Sequence, residues 1–190
     1  KSPMATLQLT LELFEMGILN QDNMETLLKN LKRQNIHLSN VLNNTLNWVL
    51  MELGEREETK EITHIQSLTK EIFDTMEVTA SAKNLKLIYQ QEGDNLVLDI
   101  DPNPVKIILK NLLDNAIKFT KEEDEVKLNL VSTLSMLKWE VANPGEVLTE
   151  KTKRELFSHM IDPGYGTQKE KGSGLGLSLS KEIAESIGMN

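Results

Sequence analysis

Residues 111 to 120, N-L-L-D-N-A-I-K-F-T, ask for a helix with two different faces. Asn111, Asn115 and Lys118 stand at i, i+4 and i+7, so a helix puts two amide oxygens and one ammonium on one side. Ile108, Leu112, Ala116 and Phe119, at steps of four, four and three, form a neighbouring apolar side that the rest of the chain has to cover. Asn is a poor helix former that usually sits at caps. Two of them inside an otherwise apolar pattern carry a local cost that suggests function. Their oxygens suit Mg²⁺, which takes oxygen ligands and keeps several waters, and Lys118 is a point charge for a phosphoryl oxygen. The alternative for this face is plain solvation.

A second stretch answers the first. Gly172, Ser173, Gly174, Leu175, Gly176 and Leu177 form G-S-G-L-G-L, in which glycines let backbone N–H groups approach an anion closely. A helix over 175–188 follows from Leu175, Leu179, Ile183 and Ile187 at four-residue steps, and its N-terminus would face that anion. Alone, such a stretch reads equally well as a flexible turn. Together the two look like an ATP site, and neither G-x-x-x-x-G-K-[ST] nor V-A-I-K nor H-R-D is present.

On these residues the chain resembles the two-component sensor histidine kinases. Residues 111–120 are similar to that family's N box, Glu155-Leu156-Phe157 to its F box, and Gly172 to Leu177 to its second glycine box, all in the family's order. The resemblance implies a GHKL (Bergerat-type) α/β sandwich, ATP with Mg²⁺, and Asn115 as the residue toward the metal. Asn143-Pro144-Gly145 falls where the family carries Asp-x-Gly, whose Asp accepts from the adenine amino group. Asn143 still offers an oxygen, though a neutral acceptor is weaker than a charged one. A simple Asn-Pro-Gly turn explains it equally well. Phe119 would stack on adenine or else belong to the core. Residues 158–171, around Pro163-Gly164-Tyr165-Gly166-Thr167, would form a short ATP lid.

Composition excludes other classes. A formal charge of −8 without a basic stripe argues against direct nucleic-acid binding, and the absence of cysteine removes disulfides and thiolate metal sites. No run approaches the roughly 18 apolar residues of a membrane span, so this segment is expected to be cytoplasmic and free of membrane contact. The full-length protein is left room for an inner-membrane anchor.

Residues 1–53 read as a helical hairpin. Met4, Leu7, Leu11 and Phe14 alternate three and four; Met24, Leu27, Leu31, Leu38, Val41 and Trp48 continue that spacing, and Gly17 with Asn20-Gln21-Asp22 makes the turn. Two helices cannot close a core, so a homodimeric four-helix bundle is expected, or else a monomer folded onto its own C-terminal part. The resemblance implies a dimerisation and phosphotransfer bundle. In it, Lys1-Ser2-Pro3-Met4 is similar to the end of the H box, and the phosphoacceptor histidine is expected three positions before Lys1. Ser2 then takes the position that orients water for dephosphorylation, or it simply caps the first helix with Pro3 at N1. His37, His64 and His159 lack the H-box surroundings, and the band Asn40, Asn44 and Asn47 is a docking rim or a solvated face.

Residues 54–60 are charged and read as a linker. Residues 61–190 alternate: a strand near 61–65, a helix over 67–83, strands at 85–90 and 95–101, a helix over 103–119, and strands at 125–131 and 136–142. The fold class is therefore α+β, a helical hairpin followed by an α/β sandwich, with both ends expected to be incomplete. The implied function is histidine autophosphorylation from ATP and phosphotransfer to a response-regulator receiver domain. A non-catalytic dimeric scaffold with a degenerate nucleotide site is the alternative, and a gyrase-like ATPase ranks behind both.

Overall fold

The computed structural model describes residues 59–133, 135–145, 148–150, 166–168 and 176–189, with Glu12, Met16, Leu42, Thr152, Leu156 and Phe157. The chain divides into two units, Lys1–Gly54 and Glu55–Asn190, and nearly all described residues belong to the second. Apart from Glu12, Met16 and Leu42, the expected hairpin with Ser2, His37 and the Asn40 band lies outside the described residues, as do His159, Gly172 to Leu175 and most of the expected lid.

The described elements run β1 (Glu61–His64), α1 (Ile65–Ser81), β2 (Lys86–Gly93), β3 (Val97–Ile100), α2 (Pro102–Phe119), β4 (Glu125–Ser132), β5 (Leu137–Ala142) and α3 (Gly176–Ser186). β1 and β3 form an antiparallel pair, and β2, β4 and β5 form a three-stranded sheet in that order. Within it, β2 runs parallel to β4 and β5 antiparallel. A parallel pair needs a long crossover, which β3 and α2 supply.

The sheet buries one face because its strands alternate in register. Val126, Leu128 and Leu130 of β4 are fully buried, as their spacing predicts. Leu87 stands opposite Val126, Tyr89 and Val141 flank Leu128, and Trp139 stands opposite Leu130. Onto this face pack Leu68, Ile72, Phe73, Met76 and Ala80 of α1 and Val105, Leu109, Leu113, Ala116 and Ile117 of α2. Trp139 ties β5 to α1 through its indole N–H, which donates to Thr69 Oγ1 at 2.9 Å.

Local chemistry sets the ends of the elements. Asp101 caps α2 by accepting from the Asn103 N–H at 2.9 Å, with prolines in the first turn where no amide is needed. α1 spans 65–81 rather than 67–83, because Asn84 takes a left-handed conformation (φ 55°) and the Lys83, Asn84 and Leu85 amides fold back onto Ala80 and Ser81 carbonyls. β2 runs to Gly93, past the expected end at 90. There φ is +97° and an added Cβ would lie 1.8 Å from the Ser132 carbonyl oxygen, so only glycine fits.

The core stripe of α2 is rotated from the one the spacing suggests. Ile108 and Ala116 are buried, but Leu112 is only half-buried and Phe119 is 42% exposed. Ile108 and Leu112 turn instead toward α3, lining with Leu137, Trp139, Ala184 and Met189 an apolar cavity of about 190 Å³. Among the described residues no helix is long and apolar enough to cross a membrane.

Candidate nucleotide site

The two stretches that the sequence pairs are in contact. The Asn111 amide nitrogen donates to the Gly176 carbonyl at 3.3 Å and to Ser180 Oγ at 3.2 Å, and Ser180 Oγ donates to the same carbonyl at 2.8 Å. Both Asn111 N–H groups are thereby directed to α3, while its oxygen makes no hydrogen bond among the described residues. One turn on, the half-buried Asn115 makes no side-chain hydrogen bond among the described residues. A further turn on, the Lys118 ammonium sits 4.6 Å from the centroid of the Phe119 ring. One helix thus carries two acceptor oxygens with spare capacity, a cation and an exposed aromatic ring.

This geometry has close relatives. Residues 100–190 match the family of histidine kinase-, DNA gyrase B- and HSP90-like ATPases. The adaptive-response sensory kinase SasA of Synechococcus sp. (strain JA-3-3Ab) is 29% identical over 122 residues, which is 64% of this chain and 32% of SasA. The nucleotide-free catalytic domain of histidine kinase ThkA superposes with a TM-score of 0.58 at 27% identity, covering 69% of this chain and 82% of that one. ThkA in complex with the response regulator TrrA shares the fold over 97% of this chain and 51% of its own, with a TM-score of 0.72 at 19% identity. Over these residues the chain is similar to the sensor histidine kinases. It spans about a third or less of the length of the curated relatives it first matches.

Gly176 and Leu177 are the first turn of α3, within the helix expected over 175–188. A Cβ at Gly176 would make only ordinary contact, 3.8 Å from Asn111. Leu179 and Ile183 are buried as expected, whereas Ile187 lies beyond the helix and is exposed. Asn143 and Gly145 follow β5 and are exposed; the Asn143 amide donates to the Pro144 carbonyl at 3.1 Å. This bond leaves the Asn143 oxygen as an acceptor. No hydrogen bond joins Asn143 or Gly145 to α2 among the described residues. The exposure of Phe119 overturns its reading as a core residue: it ends α2, beyond the stripe that meets the sheet.

Polar residues that sequence reasoning passed over lie near these side chains. Asp114, beside Asn115, has its carboxyl pushed above the ordinary carboxylate range by burial, an effect opposed by the Lys110 ammonium one turn earlier. Ser180 is at i+4 from Gly176, a spacing that could have revealed it. Lys83 and Thr167 bond to the C-terminal end of α2 from 34 and 49 residues away, and no local signal marks them.

The donor set fits a magnesium nucleotide. Neutral amide oxygens with unused acceptor capacity are suitable partners for a hard cation or its waters, and no cluster of three His, Cys, Asp or Glu competes for metal among the described residues.

Proposed function

We propose that residues 61–190 bind ATP with Mg²⁺ and position its γ-phosphoryl for transfer to a histidine, in a sensor kinase that passes the group to a response-regulator aspartate. The observation that carries this is the bond between Asn111 and the first turn of α3, which joins the acceptor face of α2 to the glycine stretch. Asn115 would hold the metal, Lys118 a phosphoryl oxygen, Phe119, Asn143 and Gly145 the adenine end, and Gly172 to Leu177 the phosphates. Mg²⁺, when bound, neutralises charge on the phosphates. The protein's own part is orientation and exclusion of water, which is how phosphoryl transfer is catalysed in general.

Residues 1–53 are proposed as the dimerising hairpin, 54–60 as a linker, and Ser2 as a water-orienting position for dephosphorylation. The whole protein would work at the cytoplasmic side. The solved complex of ThkA with a regulator supports a receiver domain as partner. A non-catalytic scaffold is favoured only by Asn143, whose amide donates to the adjacent Pro144 carbonyl and whose oxygen is a neutral acceptor.

The test is calorimetric titration of the chain with ADP and a non-hydrolysable ATP analogue, with and without Mg²⁺. Binding that strengthens with Mg²⁺ is expected. No binding to a folded chain would sink the nucleotide assignment and leave the scaffold.

A further inference from the structure

The last carbonyls of a helix need partners from outside it, and a buried helix end needs them within the protein. At α2 they can be traced. The Ala116 carbonyl accepts from the Thr120 N–H at 3.1 Å and from Thr120 Oγ1 at 2.6 Å. The Ile117 and Lys118 carbonyls accept from one ammonium, that of Lys83, at 2.9 and 2.7 Å. The Lys118 carbonyl also accepts from the Thr167 N–H at 3.1 Å, while Thr167 Oγ1 directs its single proton to the Thr120 carbonyl at 2.8 Å. Lys83 is only 5% exposed, so its charge is set against the negative end of the helix with little water to screen it.

We propose that Lys83 is a positioning residue for nucleotide binding, clamping the last turn of α2 so that Lys118 and Phe119 stand where the ligand needs them. The clamp is shared. Lys83 comes from the turn after α1 and Thr167 from the segment leading to α3, and both meet at the Lys118 carbonyl. Loss of Lys83 frees a turn whose side chains make the cation and aromatic contacts, while the core stripe of α2 is held independently by Leu109 and Leu113. This inference rests on the nucleotide assignment.

The experiment compares the whole chain as wild type, Lys83→Met, Lys83→Gln, Lys83→Arg and Thr167→Val, by ADP titration with Mg²⁺ and by thermal melting. Met keeps the apolar stem and removes the donors, so the Ile117 and Lys118 carbonyls lose a partner and some loss of stability accompanies the change. The expected result is about tenfold weaker ADP binding by the folded fraction of Lys83→Met together with a lower melting point, recovery in Lys83→Arg, and a smaller loss in Thr167→Val, which keeps its backbone bond to the Lys118 carbonyl. A merely structural lysine would lower the melting point without moving the affinity of the folded fraction. Unchanged affinity in a folded Lys83→Met overturns the proposal; if that variant does not fold, unchanged affinity in Lys83→Gln, which is shorter and uncharged, does so. A folded wild type that binds no ADP overturns the nucleotide assignment itself, and the clamp with it.

Discussion

The two sides of α2 differ in how completely they are satisfied. Toward the sheet, Val105, Leu109, Leu113 and Ala116 are buried among α1 and β4 side chains. Away from it, among the described residues, neither the Asn115 side chain nor the Asn111 oxygen has a hydrogen-bond partner, and Phe119 stands 42% exposed. A rigid core side holds the other side in place without consuming its bonding capacity. Polar capacity left unused on a fixed element is what a ligand requires, since little has to be reorganised on binding.

Substitution can break this contrast from either side. Leu113→Ala, at a position with no exposure, should cost about 2–5 kcal/mol of stability, read by urea or thermal unfolding, while the folded fraction still binds ADP. Asn115→Ala should do the reverse, with melting within a few degrees of wild type and Mg-dependent ADP affinity lost. Unchanged affinity would remove Asn115 from the site.

Asp114→Asn sharpens the boundary between the two. Its native carboxyl titrates above the unfolded one, so the native state binds more protons and stability falls as pH rises from the ordinary carboxylate range through the raised native value. At neutral pH the Asn variant should therefore melt slightly higher than wild type, with the gap closing in acid below both values. Equal melting across that range would show that burial of Asp114 has no energetic effect.

Much of this was legible in local spacing. The alternation of Val126, Leu128 and Leu130 gave the buried sheet face, and Asp101-Pro102 marked the start of α2. Asn111 and Gly176 were paired by the chemistry that the two stretches share. The rotated core stripe was hidden because α2 has two apolar neighbours, the sheet and the cavity beside α3. Ile108 with Leu112 therefore fits helical spacing as well as Leu109 with Leu113 does. Lys83 was hidden for a different reason: a lysine after a helix reads as solvated, and its acceptors are carbonyls whose position only the tertiary fold sets. The parallel pairing of β2 with β4 was equally silent, because a strand's composition does not name its partner.

That pairing bears on how the domain emerges during synthesis. Every β2 residue pairs with the one 39 places later, from Lys86 with Glu125 to Gly93 with Ser132. β1 finds its partner as soon as β3 is made, but β2 must wait unpaired until all of α2 and β4 have left the ribosome, with a large loop still to be closed. The interval in which the nascent chain most needs protection is thus the one that delivers the helix carrying Asn111, Asn115 and Lys118, so the proposed ligand face is made before the sheet that holds it.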